Sequence, residues 1–493
     1  MGLDSVTFAP SSNTIGRDFA TVPARHAHPQ HLWKGRVRFW GFLLAGAAPF
    51  AAWGSLSANP SLTPVAVFLL PVIVGLLWRP GEPPVLVFGV AVQWLQASLA
   101  IFCANYYGVP VEMLFGAPQG ETATWLSLFG VLALAIGMRI AWVRAMPSDI
   151  HRPATLRINV GTLFSYYIAG FIVFSAMQAV AFSVPGVTQL ILAVANLKLA
   201  LIFLLFYSVL EQRKGYPLLV FAFTLEMIVG FLGFFAAFKN VFFLLLIAAL
   251  TPMGSLRGKR GFIALVTILT VLVLGVFWTA IKKDYRDFLS EESGSQQTGL
   301  SFGDRATKLW DSTTNFSMEQ FDSGFRDMLG RISYVDYFVA TVQTVPQEVP
   351  YENGALWGDT LKRIVMPRLL FPDKARIDDS ERTNMYTGSR VAGTEESTLI
   401  GIGYMAESYV DFGPVFMFVP ILLLGVFYGL IYRYFIARET FRTLGFALGT
   451  ALLLTFHQDF GASNAKIVGG IVTGLIVCAA VFEFAKRNFR RLA

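Results

Sequence analysis

The sequence predicts an all-α polytopic integral membrane protein. It should have about twelve transmembrane helices, both termini inside, and one large, partly helical loop on the outer (periplasmic) face between spans nine and ten. Three observations predict this. Of the 493 residues, 55% are apolar and only 14% are charged, against the quarter expected of a soluble domain. Apolar runs recur at the length of roughly 20 residues that spans about 30 Å of hydrocarbon. Lys and Arg fall almost entirely on one side of those runs. Mean hydropathy is +0.56, which excludes a disordered chain, a coiled coil and an ordinary soluble enzyme. Cys103 and Cys478 both lie inside apolar runs, so a secreted disulfide scaffold is excluded as well.

In chain order, residues 1–37 are polar, lack an apolar core and cleavage site, and read as a disordered cytoplasmic tail. His26, His28 and His31 lie there without a further ligand nearby and read as solvated. Nine spans follow within 38–281: 39–57, 62–78, 84–106, 123–143, 160–183, 187–210, 216–237, 240–254 and 261–281. The last three, within 410–485, are 412–432, 443–458 and 466–485, followed by a basic cytoplasmic terminus at 486–493. With the N-terminus inside, the inner segments hold 21 Lys and Arg and the short outer loops hold only Lys239 and Lys466. That asymmetry sets the predicted orientation.

Residues 282–409 interrupt the pattern as a 128-residue hydrophilic loop with 14 Lys/Arg and 20 Asp/Glu. Long loops translocate regardless of charge, so its acidity does not oppose the orientation. Ser301 and Asp304 signal a helix start. Phe325, Leu329, Ile332, Val335, Val339 and Val342 follow a helical period and predict one helix ending before Pro346, with Asp327 and Arg331 paired on its polar face. Beyond Pro346, VPYENGALWGD and RIVMPRLLFPDKARIDD read as ordered, irregular loop over the membrane surface.

Candidate chemistry concentrates in and around this loop. Lys362, Arg363, Arg368, Lys374, Arg376, Arg382 and Arg390 form a cationic stretch opposed only by Asp373, Asp378, Asp379 and Glu381. Topology does not explain cations on the outer face. Arginine clamps phosphate bidentately, so an anionic headgroup site is one reading; salt-bridged loop charge is the other. His457, in FHQDFG, is the histidine expected at an outer span end, with Asp459 close by. It is a candidate base for a sugar hydroxyl, or an interfacial histidine. Glu407 and Asp411, in MAESYVDFG, share a helix face where the chain enters span ten. An acid there can act as a base, hold sugar hydroxyls, or pair with loop arginines. Inside the membrane, Lys198 and Glu226 lie at matched depth on antiparallel neighbours joined by EQRKG, which predicts a structural ion pair, with a proton relay as the alternative. No nucleotide-binding or HExxH motif is present, and no metal site is predicted.

Four stretches resemble the Wzy-type oligosaccharide repeat-unit polymerases of O-antigen and exopolysaccharide synthesis, which have a GT-C-like layout. They are EMIVGFLGFFAAFKNVFFLLL, TVPQEVPYENGALWGD, MPRLLFPDK and GYMAESYVDFG. The resemblance covers about 220–435; the first 200 residues match only in hydropathy. It implies a glycosyltransferase of the bacterial inner membrane, needing neither metal nor other cofactor. A polyprenyl-pyrophosphate-linked glycan would be the donor and a second lipid-linked repeat unit the acceptor. It implies pyrophosphate and sugar binding by Arg331, Arg368 and Arg390, assisted by Lys374 and Arg376, with Tyr409 and Lys239 completing the substrate-binding set. Glu407 or His457 would be the catalytic base. A chain-length regulator and a flippase are the implied partners besides the bilayer, and no nucleic acid is. Two alternatives stay open: an O-antigen ligase-like glycosyltransferase, and a lipid-linked oligosaccharide flippase or transporter. No internal repeat of the transporter kind is visible.

Overall fold

The computed structural model describes residues 29–143, 159–181, 186–232, 238–251, 259–290, 302–366, 371, 374, 378–391, 400–436, 441–456 and 460–489. All regular structure among the described residues is helical. Before the loop come α1 (Pro29–Gly54), α2 (Leu62–Leu77), α3 (Val85–Tyr106), α4 (Val111–Phe115), α5 (Gly120–Val143), α6 (Val160–Val180), α7 (Thr188–Ala195), α8 (Leu197–Gln212), α9 (Tyr216–Leu232), α10 (Phe238–Leu250) and α11 (Lys259–Ser290). The loop region contributes α12 (Phe302–Thr314), α13 (Met318–Ile332), α14 (Val335–Thr344), α15 (Ala355–Val365) and α16 (Asp379–Thr387). The chain closes with α17 (Tyr404–Phe416), α18 (Phe418–Ile436), α19 (Arg442–Phe456) and α20 (Asn464–Phe489).

Among the described residues, six segments are long and apolar enough to cross a membrane: Val85–Tyr106, Gly120–Ala141, Val160–Val180, Thr188–Gln212, Phe418–Ile436 and Asn464–Asn488. Leu62–Leu77, Tyr216–Phe231, Phe238–Leu250, Val266–Lys282 and Arg442–Thr455 are apolar but shorter. The protein is therefore a helical membrane protein. Helix α1 begins at Pro29, inside the stretch expected to be a polar tail.

Local chemistry sets several boundaries. The Asn159 side chain accepts the Gly161 N–H at 2.8 Å and starts α6. Arg213 (φ 55°) and Gly215 (φ 78°) make the left-handed turn between α8 and α9. The span expected over 187–210 is α7 and α8 meeting at Asn196.

The α5–α18 pair forms a spine. A Cβ on Gly137 would lie 2.1 Å from the Leu422 carbonyl oxygen, and one on Gly425 would lie 2.2 Å from that of Leu134. Gly429 faces the Met138 carbonyl in the same way. Small residues at these positions let two backbones touch, the usual means of helix association in lipid. Gly130 of α5 then receives Met405 of α17. The segment that carries Glu407 is thus seated directly on the spine.

The loop differs from expectation in three ways. The helix expected across 325–342 is two helices, because Ser333 is extended (φ −72°, ψ 96°) and ends α13. A capping box between Ser317 and Gln320 starts α13, and Gly324 seats it against Val276 and Ala280 of α11. The ion pair on α13 is Arg326–Asp322, not Asp327–Arg331, among the described residues. The segment read as irregular after Pro346 contains α15. The Asp411 carboxylate starts that helix by accepting the N–H groups of Leu356 (3.0 Å) and Trp357 (2.8 Å). As expected near Ser301, α12 opens at Phe302 with Asp304 in its first turn.

Candidate functional site

The densest set of buried polar groups lies where α15, α16, α17 and the start of α20 meet. Glu407 is its centre. The first two turns of α17 are inward-facing: Tyr404, Met405, Ala406, Glu407, Ser408, Tyr409, Val410 and Asp411 are all buried. Tyr404 donates to Gln93 of α3 at 2.6 Å, and Ser408 Oγ accepts the Trp357 indole N–H at 3.1 Å. The 401–403 turn preceding α17 passes the backbone at 460–461 closely. Gly403 has φ 90°, and a Cβ there would sit 2.5 Å from the Phe460 carbonyl. Only glycine meets both demands. The Tyr334 hydroxyl locks the turn by donating to the Gly401 carbonyl.

Glu407 is 2% exposed. Its Oε2 accepts the backbone N–H of Asn464 at 2.7 Å, which places the carboxylate at the N-terminal end of α20. Its Oε1 faces Arg382 Nη1 at 3.8 Å, too far for a direct hydrogen bond. Burial pushes the carboxyl up to about 7; the Asn464 N–H and Arg382 oppose this, and the nearby charges of Asp379 and Asp411 reinforce it. Arg382 also donates from Nη2 to Asp359 Oδ2 at 2.8 Å, and Arg363 Nε donates to the same oxygen at 2.7 Å. Partial burial raises the Asp359 carboxyl, but the two arginines outweigh it and hold the group below the usual carboxylate range. Asp379, 1% exposed, has Lys466 Nζ 2.6 Å from Oδ2, without the alignment of a hydrogen bond.

Among the described residues, several buried atoms here have no hydrogen-bond partner: Arg382 Nη1, both Asp379 oxygens, Ser463 Oγ, and both polar atoms of the Asn464 side chain. Buried polar groups are normally satisfied, so a cluster of orphans calls for a polar occupant. The charges already cancel, with Glu407 beside Arg382 and Asp379 beside Lys466. A hydroxyl-bearing ligand fits such a shell better than an added cation. Exposure rises outward through Arg382 (21%), Asp359 (31%) and Lys466 (46%), so the cluster has a rim and Glu407 lies at its floor.

The expected site residues are distributed as follows. Glu407 is in the cluster. Lys374 donates to the carbonyls of Arg363 (2.6 Å) and Met366 (2.8 Å), closing the C-terminal end of α15. Tyr409 is buried and donates to the Val345 carbonyl at 3.1 Å. Arg331, Arg390 and Lys239 are exposed, and no hydrogen bond or ion pair joins them to Glu407 among the described residues. Arg368, Arg376 and His457 lie outside the described residues. Lys198 and Glu226 are brought together: Nζ to Oε2 is 2.9 Å, Tyr167 donates to Oε1 at 3.2 Å, and the Lys198 ammonium lies over the Phe171 ring.

Asp379, Ser463, Asn464 and Lys466 entered no expected site, and Arg382 entered only as one of seven loop cations. In the sequence Lys466 stands, with Lys239, as an outer-loop charge. The usable signal was chemical: a lysine in the first turn of a helix works against the helix dipole and implies a nearby acid. No curated protein and no solved structure matches the chain. Residues 125–488, which contain most of α5, all of α6 to α19, all but the last residue of α20 and the whole cluster, match the family described as Domain of unknown function (DUF8712), and the chain belongs to that family.

Proposed function

We propose that the chain is a polysaccharide polymerase of the bacterial inner membrane. It joins polyprenyl-pyrophosphate-linked oligosaccharide repeat units at the periplasmic face, with twelve spans and both termini in the cytoplasm. One observation carries the reading: a fully buried carboxylate, poised near neutrality, faces an arginine with a spare N–H inside a shell of unsatisfied polar groups. A general base works best when its pKa lies near the operating pH. An acceptor hydroxyl seated beside Glu407 Oε1 and Arg382 Nη1 satisfies both and loses its proton to the carboxylate. Its oxygen attacks the donor's anomeric carbon, and the bond from that carbon to the pyrophosphate oxygen breaks. The leaving pyrophosphate gains charge as it departs, so cations placed there stabilise the transition state selectively. Arg331, Arg368, Arg376 and Arg390 are assigned to that role. Lys374 and Tyr409 brace the loop, and Lys198–Glu226 is structural. No cofactor is invoked.

The test is a polymer ladder from cells carrying single variants. Glu407→Gln and Arg382→Ala should leave the protein folded in the membrane and reduce the product to single repeat units. Arg331→Ala and Arg368→Ala should abolish long polymer. Normal chain length in all four would sink the assignment. Unattached full-length polymer would identify a ligase instead.

A further inference from the structure

A second concavity opens where the start of α5 meets the C-terminal ends of α14 and α16. It is a groove of about 500 Å³ lined by Pro118, Gln119, Gln343, Thr344, Gln347, Glu348, Thr387 and Gly388. Its chemistry is unlike that of the Glu407 cluster. Among the described residues, three primary amides and two hydroxyl side chains line it, with one acid and no cation. The amide oxygen of Gln119 is buried without a hydrogen-bond partner among those residues. Amides offer paired donors and acceptors, the complement of a neutral polyhydroxyl. Glu348 opposes an anionic headgroup, so pyrophosphate does not belong here.

The groove is coupled to Glu407 through the framework. Thr344 on its wall precedes Val345, whose carbonyl takes the Tyr409 hydroxyl at 3.1 Å, and Tyr409 lies two residues from Glu407. Along α16, Thr387 lies beyond Arg382 by roughly 7.5 Å of helix rise. A short oligosaccharide bridges that separation and a single sugar ring does not. We propose that the groove is a binding subsite for a neutral stretch of glycan, holding sugar residues behind the one that reacts at Glu407. The linkage to Glu407 rests on the polymerase reading; the glycan-binding property does not.

The probe is lipid-free oligosaccharide released by mild acid from the cells' own lipid-linked pool. It is titrated into the detergent-solubilised full chain by saturation-transfer NMR, and the intact pool is run in parallel for a ladder. The triple variant Gln119→Ala, Gln343→Ala, Gln347→Ala should weaken oligosaccharide binding by roughly tenfold or more and shorten the ladder. Gln347→Trp, which fills the groove from an exposed position, should do the same. Glu407→Gln should retain groove-dependent binding of the oligosaccharide and give no ladder. Wild-type binding by both groove variants overturns the proposal, as does failure of the wild type to bind. Groove-dependent binding without any ladder from wild type sustains the subsite and refutes the polymerase reading.

Discussion

Glu407→Gln keeps the size of the side chain and an oxygen to accept the Asn464 N–H, while removing a charge buried at 2% exposure. The carboxyl is held at about 7 in the folded protein, against an ordinary value of 4.5. The folded state therefore binds the proton more tightly than the unfolded one, and ionisation of Glu407 opposes folding. This cost is absent below pH 4.5, accrues as pH rises from 4.5 to 7, and is complete above 7. A shift of that size corresponds to on the order of 3 kcal/mol. The variant should thus be inactive yet more stable than wild type at pH 8, and nearly equal to it at pH 5. Thermal unfolding of the detergent-solubilised protein between pH 5 and 8 reads this directly. The wild-type midpoint should fall with rising pH more steeply than that of the variant. Parallel pH profiles for the two proteins would refute the reasoning, because Glu407 would then not titrate in this range. Wild-type activity should rise with pH around a midpoint near 7, as the base ionises.

Three further outcomes follow from the packing. Gly425→Leu drives a side chain into the Leu134 carbonyl and should abolish recovery of folded protein, whereas Gly46→Leu, which meets open space, should be recovered at wild-type yield on size exclusion. Lys198→Met leaves Glu226 with Tyr167 as its hydrogen-bond partner among the described residues and should cost about 3–5 kcal/mol, while Lys198→Met with Glu226→Met should recover most of the lost thermal stability; a double variant weaker than either single would contradict this. Asp359→Asn removes the carboxylate that shares Arg363 and Arg382 and should lower activity through Arg382 with little loss of folded protein, measured as ladder intensity against membrane yield.

Several of the long apolar helices were legible because hydropathy is local. The run expected at 84–106 is α3, and that at 160–183 is α6. The α5–α18 contact was not legible, since Gly137 and Gly425 are apart in sequence and each glycine alone fits many roles. The break at Ser333 was hidden because Ile332 and Val335 stay in helical register across it, while Tyr334 is turned toward Gly401. At the site, Glu407 was legible from MAESYVDFG, an acid in an otherwise buried helix. Its partners were not. Arg382 and Asp379 of α16 and Asn464 of α20 reach it from elsewhere in the chain, and the sequence reading used Asp378 and Asp379 only as acids opposing the loop cations. In the structure Asp378 caps α16 by accepting from Ser380 and Glu381, whereas Asp379 turns inward to Lys466. Cationic density led instead toward Arg390, and the resemblance toward Arg331, both of which are exposed.

The proposed role of Glu407 as base of a glycosyl transfer that elongates lipid-linked repeat units is tested most directly with purified protein in proteoliposomes, supplied with one defined polyprenyl-pyrophosphate-linked repeat unit and no nucleotide or metal. A ladder of products with release of polyprenyl pyrophosphate is expected, and its loss in Glu407→Gln. A ladder of equal intensity from Glu407→Gln, or movement of the intact lipid-linked unit across the bilayer with no product longer than the input, would contradict it.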